Sequence, residues 1–225
     1  MKVLVACEES QRVCTSFREL GHEAYSCDIL ECSGGHPEWH IQGDCLPILN
    51  GRCSFITQDG IIHYIQDKWD LIIAHPPCTY FSIAGSCRLF RKVNGVSVLN
   101  EDRYKKLLES KDFFMHIYDC DCDKICIENP TPMKIANLPP STQQIQPFFF
   151  GDPWRKRTLL WLKGLPCLIP TKIVEPKEGN WVNADADLYK KGLKPKGVFG
   201  SRNRSKTFWG IAKAMAEQWG GKKDE

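Results

Sequence analysis

Four short apolar runs punctuate the first 130 residues, and each stops abruptly at polar or rigid groups: KVLVA (2–6) before CEES, HEAYSC before Asp28, WDLIIA (69–74) before HPPC, and KICIE before Asn129 and Pro130. Runs this short and continuous fit strands buried on both faces, as in a parallel sheet. The stretches between them carry helical spacing. QRVCTSFRELG places Val13, Phe17 and Leu20 on one face and stops at Gly21, and 101–119 places Tyr104, Leu107, Leu108, Met115 and Tyr118 likewise. A third extended piece, HIQGDCL, ends at Asp44; PFFFG and TLLWL read as two further strands, and FWGIAKAMAEQW as a closing helix. Strands alternating with helices predict an α/β protein with a doubly wound, mostly parallel sheet of Rossmann-like type. Residues 164–204, rich in Pro, Lys, Gly and Asn and without periodicity, read as an inserted surface segment within a single domain spanning 1–225.

Composition narrows the setting. At 25% charged and 42% hydrophobic residues, with no apolar stretch of bilayer length and no secretion signal at the start, the chain reads as a soluble cytoplasmic protein without a membrane partner. The net charge of +3 does not by itself mark a nucleic-acid binder. Twelve cysteines in such a chain are expected to be free thiols. Cys120, Cys122, Cys126 and His116 do not match the paired spacing of a zinc knuckle, so no metal is expected.

Open α/β sheets bind ligands outside the carboxyl ends of their strands. That rule points to Ala6, Cys7, Glu8 and Ser10 after the first run, Asp28 and Ile29 after the second, Asp44 and Cys45 after the third, and His75 and Pro76 after the fourth. A carboxylate after the second strand can accept from ribose hydroxyls, and one after the third from an adenine amino group. The set suits a nucleoside cofactor. Asp is also a common turn residue, which is the plain alternative for both acids.

The loop PCTYFS (77–82) matches the P-C-x-x-F-S loop of the DNA cytosine-5 methyltransferases. The resemblance continues in order: IENP (127–130) resembles that family's E-N-V segment, FGDPWRKRTLLWL (150–162) its G-x-P-Q-x-R-x-R block, and TFWGIAKAMAEQW its last helix. Over nearly its whole length the chain is similar to a compact group of phage and prophage cytosine methyltransferases in which IAHPPCTY, ENP and GIAKAMAEQWG recur. This resemblance implies a class I fold that binds S-adenosylmethionine and transfers its methyl group to C5 of cytosine in DNA, duplex or single-stranded. Cys78 would be the thiolate that adds to C6, and Glu128, as a protonated carboxyl, would hydrogen-bond N3. Lys156 and Arg157 would complete the catalytic group, with Pro77, Phe81, Ser82, Asn129, Pro130 and Arg155 around a base flipped out of the duplex.

Four departures from the family pattern stand out, the first being NRSKTF (203–208) in place of G-N-S-V ahead of the last helix. ACEES replaces a glycine-rich first loop; Trp154, Lys156 and Thr158 stand in place of Gln, Arg and Arg; and only 166–204 is available where the family inserts a target-recognition domain. Two rival readings follow. HPPC is similar to the [DNS]-P-P-[YFW] motif of amino methyltransferases, which need no cysteine. A fold that kept nucleic-acid binding and lost catalysis would tolerate the altered first loop.

Overall fold

The computed structural model describes residues 1–176 and 205–221. The chain opens with β1 (Lys2–Ala6), α1 (Arg12–Glu19), β2 (Glu23–Asp28) and β3 (His40–Gln42). A hairpin of β4 (Cys53–Ile56) and β5 (Ile62–Ile65) precedes β6 (Leu71–Ala74), and a second hairpin of β7 (Phe90–Val93) and β8 (Val96–Leu99) precedes α2 (Glu101–Tyr118). Next come β9 (Ile125–Asn129), β10 (Gln143–Ile145) and β11 (Thr158–Lys163); α3 (Trp209–Met215) continues as a π-helical turn through Ala216–Gly220.

Seven strands form one sheet in the order β10-β11-β9-β6-β1-β2-β3. The five from β9 to β3 are parallel, and β11 and then β10 are added antiparallel at one edge. The order reverses between β6 and β1, so this is where loops leave in opposite directions and a crevice opens. Alternation sorts the strand side chains into two layers. Leu4, Ile72 and Ile127 meet Leu107, Phe114 and Ile117 of α2 on one face. Val3, Val5 and Ile73 meet Phe17 of α1 and Ile211 and Met215 of α3 on the other. Both faces are covered, which is why these strands read as unbroken apolar runs.

The expected mostly parallel α/β sheet is present, with one strand reassigned. PFFFG is not a strand: Pro147–Phe149 is a tight 3-10 turn, and the strand before β11 is the polar Gln143–Ile145 at the sheet edge. An edge strand needs only one apolar face, so its pattern is weak, whereas a short aromatic run fits strand or turn equally well. Phe150 instead drops into the α1–α3 layer. Of the segment expected to be an insertion, 165–176 forms no helix or strand but is held to the sheet edge, Leu168 being buried and bonded in both directions to the Gln143 side chain. Residues 177–204 lie outside the described residues. Among the described residues, no helix is long and apolar enough to cross a membrane.

The final helix is fixed by its neighbours. The Asp152 carboxylate accepts from the Gly210 N–H at 3.0 Å, satisfying a donor in the first turn of α3. Position 210 must be glycine, because a Cβ there would lie 1.9 Å from the Phe150 carbonyl oxygen.

Candidate active site

A cleft of about 860 Å3 opens at the carboxyl ends of the parallel strands. Its walls bring together residues far apart in sequence: Cys7, Glu8 and Ser10 after β1, Asp28 and Ile29 after β2, Asp44 and Cys45 beyond β3, His75, Pro76, Pro77 and Cys78 after β6, and Glu128, Asn129 and Pro130 at the end of β9. Lys156 reaches in from just before β11.

Glu128 is the electrostatic centre of one end. Its carboxylate accepts from His75 Nδ1 at 3.1 Å and lies 3.8 Å from Lys156 Nζ, with all three side chains nearly buried. Burial alone would raise its pKa. The Lys156 charge, the His75 contact and the Thr158 hydroxyl outweigh burial and hold it down to about 2. In the protein alone these neighbours favour the ionised form of Glu128, whereas the protonated carboxyl expected from the resemblance concerns the complex with the base. Thr158, where the resemblance would have placed an arginine, lies beside the same carboxylate and helps lower its pKa, while its hydroxyl donates to the Lys156 carbonyl at 3.2 Å.

Cys78 is half-buried on the loop after β6. Burial, and secondarily the Glu128 charge, push its thiol above the ordinary value; Lys156 and a hydrogen bond with the Ser82 hydroxyl only partly offset this. The expectation of an exposed loop favouring thiolate is corrected accordingly: the resting group is a thiol. The loop is braced from both sides, Ser82 N donating to the Cys78 carbonyl at 3.0 Å and Asn129 Nδ2 to the Pro76 carbonyl at 3.0 Å.

The other end of the cleft is built around the first loop. Glu8 is buried, and its two carboxylate oxygens accept from the N–H groups of Val13 (2.7 Å) and Cys14 (3.2 Å) at the start of α1. Burial raises its pKa against the opposing His75 and backbone N–H groups. Cys7 and Gln11 adopt left-handed φ values of 59° and 56°. The loop thus takes the backbone shape glycines allow while carrying side chains, at a strain of about 1 kcal/mol per residue. Gln11 turns this to use, bonding the His36 N–H and carbonyl and so pinning the next loop over α1. Asp28 and Asp44 each also accept from a backbone N–H two residues on, the ordinary turn role of Asp, while remaining on the cleft wall.

Several expected site residues lie elsewhere. Ala6 is fully buried and offers only its carbonyl, to the His75 N–H at 3.0 Å. Phe81 is core, edge-on to Phe114 at 6.2 Å, so its ring cannot stack on a base in the cleft. Ser82 is buried behind Cys78. The Arg155 guanidinium lies 5.8 Å from the Phe148 ring centroid, and Arg157 is exposed; neither lines the cleft, so Lys156 alone of the three cations does. The resemblance implied a triplet of donors, but of the three residues ahead of β11 only Lys156 is directed into the cleft.

Other wall residues went unforeseen. Glu109, Ser110 and Phe113 of α2 face the cleft. Glu109 and Phe113 are one helical turn apart, a signal the sequence carried. Lys206 and Thr207 close the first-loop end: Lys206 Nζ lies 3.8 Å from Glu9 and donates to the Ser33 hydroxyl at 2.9 Å, while Arg12 donates to the Thr207 carbonyl at 2.8 Å. Among the described residues, no group of three His, Cys, Asp or Glu side chains could hold a metal ion. Cys126 in fact faces the opposite side of the sheet from Cys120 and Cys122.

No family model and no curated protein matches the chain. Among solved structures, the chain is similar to a protein encoded within an E. coli prophage and assigned as a DNA modification methyltransferase, at 14% identity and a TM-score of 0.45 over 78% of this chain. The match spans about half of that protein, 52% of its length.

Proposed function

We infer that this chain is an S-adenosylmethionine-dependent methyltransferase acting on C5 of cytosine in DNA. One observation carries the reading: a thiol, Cys78, and an ionised carboxylate, Glu128, line one cleft from the ends of adjacent parallel strands, with Lys156 beside them. DNA as the substrate class rests on the sequence resemblance. The cleft volume lies within the range of cofactor sites, and its far end offers Asp28 and Asp44 as acceptors for ribose and adenine donors. A further fit is His75, whose Nε2 is buried with no hydrogen-bond partner among the described residues while its Nδ1 faces Glu128. With Nδ1 carrying the proton, Nε2 is an acceptor waiting for a ligand donor. Glu8, Ser10 and Cys7 would hold the amino-acid part and Asp28 and Asp44 the nucleoside. S-adenosylmethionine, when bound, supplies an electrophilic methyl group.

The protein's own part follows from the electrostatics. As the Cys78 sulfur adds to C6 of the base and pushes the C5–C6 electron pair toward C5, the thiol proton passes by way of water to N3. The Glu128 carboxylate accepts from the exocyclic amino group and from N3 as that nitrogen takes a proton. Its ionised state thus stabilises positive character on the ring instead of donating the proton itself. Lys156 keeps the carboxylate charged and His75 fixes its orientation. After transfer, water takes the C5 proton, the bonding pair re-forms the C5–C6 double bond and expels the Cys78 sulfur, and that sulfur recovers a proton as N3 loses one.

An amino-group methyltransferase has one observation in its favour, the resting thiol state of Cys78. A single experiment separates the two. Duplex DNA bearing 5-fluorocytosine, incubated with S-adenosylmethionine, should form a covalent adduct with the wild type and none with Cys78→Ala. Methyl transfer by Cys78→Ala at the wild-type rate would overturn the C5 reading, and absence of cofactor binding in calorimetry would favour a catalytically silent binding protein.

A further inference from the structure

The β7–β8 hairpin follows the Cys78 loop after a 3-10 turn at Ile83–Arg88, and nearly every residue of both strands is exposed. It pairs with no other strand among the described residues. Two-stranded hairpins are marginal in water, yet this one leaves Phe90, Val93, Val96 and Val98 in solvent. Its charge is of one sign. Between Asp70 and Glu101 the chain has no acidic residue, and its cations there are Arg88, Arg91 and Lys92. The register pairs Arg91 with Val98 and Lys92 with Ser97, so alternation puts one cation on each broad face of the ribbon. The tip is Asn94–Gly95, with φ values of 49° and 82°, a tight two-residue turn that presents the Asn94 side chain at the end. The base is anchored: Leu89 is buried, and Asn100 N donates to its carbonyl at 2.8 Å before capping α2.

We propose that β7–β8 is a reader of duplex DNA that enters the major groove tip first, Arg91 and Lys92 each facing one phosphate wall and Asn94 the base edges. This rests on the proposed function and deepens it, naming duplex DNA as the form of substrate. A two-stranded ribbon fits the major groove, Asn pairs bidentately with adenine, and the tip valines suit thymine methyl groups. Cations on both faces fit a ribbon flanked by phosphate on both sides. They would be redundant on a ribbon lying flat against one partner surface.

Fluorescence anisotropy of labelled DNA duplexes with the full chain, across a salt series, tests this, with calorimetry of S-adenosylmethionine binding in parallel. Arg91→Glu combined with Lys92→Glu should weaken duplex binding on the order of tenfold or more and reduce the salt slope by about two. Asn94→Ala should keep the slope and lose preference among duplex sequences. Both variants should bind S-adenosylmethionine as the wild type does, which separates a lost contact from a lost fold. The proposal is overturned by unchanged duplex affinity in the double variant, by no duplex binding in the wild type, or by equally tight hairpin-dependent binding of duplex RNA, whose deep, narrow major groove excludes such a ribbon. Hairpin-dependent self-association in sedimentation velocity would also overturn it, by assigning the surface to a second copy. Failure of the wild type to bind S-adenosylmethionine would sink the methyltransferase reading while leaving the duplex measurement interpretable.

Discussion

A buried carboxylate is tolerable only when its charge is answered, and Glu128 is answered by Lys156, His75 and Thr158. Its folded pKa lies below the ordinary value, so the stabilisation it brings is fully present above about pH 4.5 and is lost as pH falls toward about 2. Each unit of that depression corresponds to about 1.4 kcal/mol. Denaturant unfolding measured from neutral to acid pH should show this loss in the wild type and a flatter profile in Glu128→Gln. That variant should also be less stable at neutral pH by on the order of 3 kcal/mol, because it leaves Lys156 buried beside no negative charge. The thiol responds to the same pair with opposite signs. Alkylation of Cys78 by iodoacetamide, followed by peptide mass spectrometry, should be slow at neutral pH and still climbing above pH 9, the ordinary thiol value. Lys156→Ala should slow it further and Glu128→Gln should speed it.

At the scale of elements, α3 is placed by contacts that single changes can remove. Gly210→Ala would drive a methyl group into the Phe150 carbonyl, and we expect it to lower stability by about 2 kcal/mol or more in thermal or denaturant unfolding. Asp152→Ala should cost about 1 kcal/mol through the lost first-turn acceptor, and Asp152→Asn, which keeps an oxygen there, less. These elements also differ in how well their sequence announces them. The strands β1, β2, β6 and β9 were legible because burial on both faces forces unbroken apolar runs. The edge strand β10 and the two hairpins were not, because one-sided or exposed strands carry no such constraint. Loop residues divided similarly. Cys78 and Glu128 reach the cleft because strand ends point there, whereas Phe81, three positions beyond Cys78, turned inward to Phe114.

For the molecule as a whole, the cleft lies at the reversal of strand order, lined by loops that the two packed layers hold in place. A ligand that binds only this assembled form stabilises it by mass action, about 2.7 kcal/mol at a hundredfold excess over Kd. A thermal scan with saturating S-adenosylmethionine should therefore raise Tm by roughly 5–10 °C, and Asp28→Ala should reduce that rise without abolishing folding. The shift should persist in Cys78→Ala, which lies at the other end of the cleft. The sequence alone determined the α/β alternation, the polar residues that follow each strand and the order of the resembling segments. All are local patterns imposed by burial and backbone direction. Only the tertiary structure decided that Lys156 and His75 flank Glu128 and hold its pKa down, that burial pushes the Cys78 thiol up, that Lys156 and neither arginine lines the cleft, and that α2 supplies a wall. Charge state and side-chain direction depend on neighbours brought together from distant parts of the chain, and no local pattern encodes them.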